Sequence, residues 1–178
     1  IKINAVIKRG LNEHSVLPLA RYFHGTGSIL RFIEYMDVGS TNNWKLDEVV
    51  SARELVTLIN QEMPINPVSP NYRGEVAKRW RYADGGGEIG FITSVTESFC
   101  GDCSRVRLSA VGQIYTCLFA TEGYDIRDPL RAGASDQDLL KIIHTLWGKR
   151  EDRYSELRGQ IPVDSLSNSK VEMSHIGG

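Results

Sequence analysis

Cysteine is scarce in this chain: there are three in 178 residues, and none precedes Cys100. So few, arranged as a Cys-x-x-Cys pair plus one, do not make a secreted disulfide framework, and a reducing cytoplasm is the expected setting. No apolar run approaches the length that crosses a bilayer, and the opening residues carry no signal-peptide pattern, so no membrane association is expected. Neither sign of charge is in excess. With 21 Lys+Arg against 22 Asp+Glu, the net charge of -1 excludes a general affinity for nucleic acid or acidic surfaces, and any basic site must be local. Proline is also sparse, at six, and Pro64, Pro67 and Pro70 crowd into one short stretch. The remainder, 41% hydrophobic and 24% charged, is ordinary globular material, enough for one sizeable core or two small ones.

The cysteines define the centre of interest. Cys100-Gly101-Asp102-Cys103 can aim two sulfurs from one tight loop, with Gly101 easing the backbone. Residues 105–110 and 113–119 read as strands joined by a turn at Val111-Gly112, which would bring Cys117 beside Val106. Zinc would need a fourth ligand, and His14, His24, His144 and His175 all lie at unfamiliar spacings. An iron-sulfur cluster on three cysteines would leave one iron open to an exogenous ligand. Spacing alone leaves zinc, iron-sulfur and plain packed thiols all open. Arg105 and Arg107, two apart on a strand, share a face. By themselves they read as a solvated face; beside a metal they would form a forked clamp for an anion such as a polyphosphate.

In chain order, residues 1–7 read as a strand, 12–23 as a helix and 28–36 as a second strand. That is the size of a βαβ unit with parallel strands, and ligands gather at the carboxyl ends of such strands, where Met36 lies. A polar loop follows. Ser51 with Glu54 then makes a capping box opening a helix whose apolar face is Leu55, Val56, Leu58 and Ile59. The proline-rich stretch suggests a domain boundary between residues 65 and 66. Residues 76–82 and 88–95 read as strands around Asp84-Gly85-Gly86-Gly87. Because no Gly-Lys-Ser/Thr follows the glycines, they read as a hairpin turn rather than a phosphate loop. Together with the cysteine hairpin these strands would form a small antiparallel sheet, locally positive through Lys78, Arg79 and Arg81. Residues 125–131 suggest a short helical turn. Ser135 with Asp138 opens a helix, apolar at Leu139, Leu140, Ile142, Ile143, Leu146 and Trp147, expected to pack on the sheet. His144 on that helix reads as an ordinary surface histidine. The polar tail beyond Arg158, with Ser165, Ser167, Ser169 and Ser174, reads as disordered by composition.

Five pieces carry a resemblance: Lys2-Ile3-Asn4-Ala5-Val6-Ile7, Arg31-Phe32-Ile33-Glu34-Tyr35-Met36, Phe99-Cys100-Gly101-Asp102-Cys103-Ser104-Arg105-Val106-Arg107, Cys117 and the closing Gly177-Gly178. In this order they resemble the GTP 3',8-cyclases, radical S-adenosylmethionine enzymes of molybdenum cofactor biosynthesis. The resemblance implies an α/β fold: the last βαβ part of an incomplete (β/α) barrel over residues 1–65, then a small α+β domain over 66–178 whose antiparallel sheet carries an iron-sulfur site.

The family's amino-terminal Cys-x-x-x-Cys-x-x-Cys motif, which holds a first 4Fe-4S cluster and S-adenosylmethionine, has no counterpart here. The chain is therefore expected to be the carboxy-terminal half of such an enzyme, inactive alone. What the resemblance implies for its residues is specific. Cys100, Cys103 and Cys117 would hold a second 4Fe-4S cluster that faces the substrate. Lys2, Arg105, Val106 and Arg107 would bind GTP, and Met36 would lie against S-adenosylmethionine. Gly177 and Gly178 would reach the active site beside the catalytic Arg105 and Arg107. GTP and S-adenosylmethionine are the implied partners, with a homodimer allowed and neither nucleic acid nor membrane expected. The rival reading is a non-enzymatic zinc module in which the cysteines and one histidine hold a small sheet for protein contacts.

Overall fold

The structure is a computed structural model that describes residues 1–158 and 170–176. The chain divides into two compact units, Ile1–Met36 with Trp44–Cys103, and Asp37–Asn43 with Ser104–Gly178.

The first unit begins with the expected βαβ turn. β1 (Lys2–Ile7) and β2 (Ile29–Glu34) pair in parallel from Lys2 opposite Ile29 to Ile7 opposite Glu34, with α1 (Val16–Phe23) between them in the chain. α1 buries Val16 and Ala20, one turn apart, so a single stripe meets the sheet. α2 (Ala52–Glu62) opens on the Ser51 and Glu54 capping box, both halves of which form, and it buries Ala52, Leu55 and Ile59. β3 (Ile65–Val68), β4 (Lys78–Tyr82) and β5 (Glu88–Ile92) follow.

Contrary to expectation, these last strands do not join the cysteine hairpin but complete the sheet begun by β1 and β2. Its order is β1-β2-β5-β4-β3, with β5 parallel to β2 and β4 antiparallel to both its neighbours. The physical reason is burial. Leu30 lies opposite Ile89 and Phe32 opposite Phe91, all at most 1% exposed, so β5 extends the apolar stripe of β2 under α1 and α2. The expected boundary between residues 65 and 66 consequently falls inside the first unit. The triple-glycine segment is a hairpin turn between β4 and β5, closed by the Tyr82 N–H donating to the Gly87 carbonyl at 3.1 Å.

The second unit is built on a three-stranded antiparallel sheet, β6 (Arg107–Leu108), β7 (Gln113–Tyr115) and β8 (Tyr124–Asp125), in the order β6-β7-β8. The strands are shorter than expected. Gly112, at φ 79°, takes the left-handed position that closes the β6–β7 turn. Arg107 faces Tyr115 and Leu108 faces Ile114, which leaves Cys117 beyond the ladder rather than beside Val106. α3 (Arg127–Arg131), α4 (Asp136–Gly148) and α5 (Tyr154–Leu157) follow. The Ser135 and Asp138 capping box forms, yet α4 buries no residue, and Leu140, Ile143 and Trp147 stay exposed. The apolar residues of α4 gather on one side of the helix, and a sheet of two- and three-residue strands is too small to cover that face.

The expectation of a disordered tail does not hold for residues 170–176. The Val171 N–H donates to the Ala120 carbonyl at 3.1 Å, and Ile176 is 1% exposed. Ser165, Ser167, Ser169, Gly177 and Gly178 lie outside the described residues. Among the described residues no helix is long and apolar enough to cross a membrane.

Candidate functional site

Cys100 and Cys103 sit in the first unit on a single helical turn, Cys100–Asp102, where the Cys103 N–H closes back on the Cys100 carbonyl at 3.2 Å. The loop leading into that turn hangs on Glu34, the last inward residue of β2. Glu34 is 1% exposed. One carboxylate oxygen accepts the backbone N–H groups of Val95 and Thr96, both at 2.9 Å; the other accepts the Thr96 hydroxyl at 2.5 Å and the Ala52 N–H at 2.9 Å. Four donors on one buried carboxylate satisfy its charge and fix both the sulfur-bearing loop and the first turn of α2. On the outer side, Asp102 receives Arg73 Nε at 2.8 Å, across an exposed pair of little energetic weight.

Arg105, Val106 and Arg107 lead into β6 in the second unit. Arg107 opens β6 and Arg105 precedes the strand; both are half-buried while Val106 and Leu108 are exposed. Cys117 follows β7, and its Sγ accepts the Phe119 N–H at 3.4 Å, a backbone contact of the kind that stabilises sulfur ligands. All three cysteines are reduced, partly buried thiols, so the donor set fits a thiophilic centre in kind. Among the described residues, no group of three or more His, Cys, Asp or Glu stands close enough to hold a metal ion.

Met36 lies just past the carboxyl end of β2. Lys2, at the start of β1, lines a cavity of about 230 Å³ on the sheet face opposite the helices, together with Arg31, Asn71, Glu75, Arg79 and Glu88. Sheet register explains why this face is cationic yet open. Asn4, Arg31, Gly90 and Arg79 form one row across four strands, and Gly90 contributes no side chain, leaving a notch between the two guanidinium groups. Arg31 Nε is steadied by Asn4 Oδ1 at 2.8 Å. Arg79 forks onto both oxygens of Glu88 at 2.8 Å and also donates to Asn71 and the Ser69 carbonyl. The Arg79 guanidinium, against partial burial and helped by Arg81, holds Glu88 below the ordinary carboxylate value.

Sequence reasoning assigned no role to Glu34 or Arg31, although both lie within a motif it quoted. Arg31 could have been found by aligning β1 and β2 as parallel neighbours, since that register sets it opposite Asn4 and on the face of Lys2. Glu34 gave a weaker signal: an acidic residue at an inward position of an otherwise apolar alternation.

Residues 28–156 match the family Molybdenum Cofactor Synthesis C. The whole chain is similar to three curated proteins, each named GTP 3',8-cyclase. That of Acidothermus cellulolyticus is 46% identical and 55% covered, that of Xanthomonas axonopodis pv. citri 48% identical and 52% covered, and that of Staphylococcus epidermidis 43% identical and 53% covered. The chain thus spans about half the length of these relatives.

Proposed function

The chain belongs to the Molybdenum Cofactor Synthesis C family, and on that premise we propose that it is the carboxy-terminal half of a GTP 3',8-cyclase, supplying the nucleotide-binding part of that enzyme in molybdenum cofactor biosynthesis. The observation that carries the reading is the order of Cys100, Cys103, Arg105, Arg107 and Cys117 within one short stretch of sequence, in a chain similar to GTP 3',8-cyclases over its whole length.

The residues that would hold a 4Fe-4S cluster are Cys100, Cys103 and Cys117, whose incomplete sulfur set leaves an open iron for the guanine. In the intact enzyme, S-adenosylmethionine and a further cluster on the amino-terminal half would supply the radical chemistry that converts GTP to 3',8-cyclo-7,8-dihydro-GTP. The tasks of this chain are binding and orientation. Lys2 and Arg31 offer positive charge at the notch left by Gly90, where a polyphosphate meets fixed donors. Glu88 occupies Arg79 and fixes the direction in which its guanidinium points. Arg105 and Arg107 complement the nucleotide near the sulfurs, Met36 borders S-adenosylmethionine, and Gly177 and Gly178 approach the substrate without side chains.

Metal and sulfide analysis of protein matured with iron and sulfide under anaerobic conditions tests this reading. The expected result is a brown protein with iron and sulfide in the ratio of one 4Fe-4S cluster per chain. A colourless protein holding one zinc would overturn it in favour of a structural zinc module, and so would wild-type protein that fails to bind GTP after cluster assembly.

A further inference from the structure

Within the second unit, three side chains from distant points of the chain converge on one carboxylate. Asp37 is 6% exposed. Its Oδ1 accepts Arg158 Nε at 2.8 Å, and its Oδ2 accepts Lys170 Nζ at 2.8 Å and the Tyr154 hydroxyl. Lys170 also donates to the Asp37 backbone carbonyl at 2.8 Å. The Tyr154 ring is stacked on Phe119 with centroids 4.5 Å apart, and Lys170 Nζ lies 4.5 Å from the Tyr154 centroid. Two cations and a phenol surround one desolvated carboxylate, a kind of interaction better suited to fixing one arrangement than to adding stability.

The same two segments meet again two residues further on. Glu172 Oε1 accepts both the backbone N–H and the hydroxyl of Ser40 at 2.9 Å, while its second oxygen takes the Thr41 hydroxyl. Gly39, at φ 66°, lies so close that any Cβ there would collide with the Glu172 carboxylate. The Val171 N–H on Ala120 and the buried Ile176 complete the attachment. Chain ends are ordinarily the least constrained part of a fold. Here the anchoring continues to Ile176, and the next residues in the sequence are Gly177 and Gly178.

We infer that Asp37, Lys170 and Glu172 form a latch that holds residues 170–176 on the 37–43 loop, and are thereby positioning residues for the terminal glycine pair. The inference rests on the proposed cyclase reading for what that pair does, but not for the latch itself. Lys170 sets the segment's origin through a buried ion pair, and Glu172 sets its direction through backbone and hydroxyl donors. None of the three is among the residues proposed to bind GTP, so loss of the latch lowers turnover with GTP affinity left in place.

The test uses Lys170→Met, Glu172→Gln and the conservative Lys170→Arg. Glu172 bonds are exposed, so that variant retains the fold even where Lys170→Met does not. Amide hydrogen exchange is read at Val171, His175 and Ile176, and GTP turnover and affinity are read in the chain joined to its amino-terminal half. The expected result is exchange faster by about tenfold or more at those amides and turnover lower by about tenfold in Lys170→Met and Glu172→Gln, unchanged GTP affinity, and partial recovery in Lys170→Arg. Unchanged exchange in Glu172→Gln would overturn the latch whatever the activity. Fast exchange with full turnover would overturn the positioning role and leave the cyclase reading standing. Wild-type enzyme that binds cluster and GTP yet forms no cyclised product would overturn the cyclase reading and the positioning role with it, while the exchange rates still decide the latch.

Discussion

Glu34 and Thr96, far apart in the chain, are joined twice: the Thr96 N–H and its hydroxyl both reach the Glu34 carboxylate, at 2.9 and 2.5 Å. Through this contact the end of β2 governs where the loop before Cys100 runs. Glu34→Gln keeps the shape but turns one acceptor into a donor facing donors, so it is expected to destabilise the first unit by about 2–3 kcal/mol. Chemical denaturation measures that loss, and iron uptake after reconstitution should fall in parallel because the sulfur loop is released. A variant as stable as wild type would show that the contact is replaceable.

The proposed sulfur set predicts an all-or-none response to thiol removal. Cys117→Ser, Cys100→Ser and Cys103→Ser should each abolish the iron-sulfur absorption expected after anaerobic maturation, since two sulfurs do not retain a 4Fe-4S cluster. Far-ultraviolet circular dichroism should remain that of wild type, because all three thiols are only partly buried.

If Arg105 and Arg107 clamp the nucleotide as proposed, truncation to alanine should weaken GTP binding by about 1.5–3 kcal/mol each. Calorimetry on the anaerobic, cluster-loaded enzyme measures it. Equal affinity for GTP in both variants would remove these arginines from the site.

Gly90 makes a separate prediction on the sheet face. A Cβ at that position would lie 3.1 Å from Arg31 Cγ and 3.4 Å from Ala77 Cβ. Gly90→Val therefore displaces the Arg31 stem and fills the notch, and GTP affinity should fall about tenfold, or about 1.4 kcal/mol. The thermal midpoint should move little, because valine suits a strand and offsets part of the crowding.

Asp37 sets a pH dependence. Burial opposes its charge, but hydrogen bonds from Lys170 and Tyr154 and the nearby Arg158 outweigh burial and hold its carboxyl below the ordinary value. A carboxylate depressed in the folded state contributes stability that is present above the unfolded value, about 3.9, and is lost as pH falls through the folded value. Denaturation midpoints of wild-type protein should therefore drop below about pH 4. Asp37→Asn should start lower at neutral pH and lose this component of the acid response.

The sequence was most readable where local chemistry is self-sufficient. The capping boxes at Ser51 and Ser135 formed as expected, because the serine and its acidic partner satisfy each other within one turn. The parallel pairing of β1 and β2 and the glycine hairpin after Tyr82 were legible for the same reason. The destination of β5 was not. Its pairing with β2 depends on matching Ile89 and Phe91 to Leu30 and Phe32, a match between segments more than fifty residues apart that no local pattern records.

Residue order alone put three sulfurs, Cys100, Cys103 and Cys117, and two guanidinium groups, Arg105 and Arg107, into one short stretch. The role expected of Lys2 came from the family resemblance and not from spacing. Tertiary structure alone decided which acidic residues would serve as anchors, because Glu34 and Asp37 differ from any surface carboxylate only in the donors that distant segments bring to them. Burial is a property of the assembled chain, and a buried charge takes its role from the partners that make its desolvation tolerable.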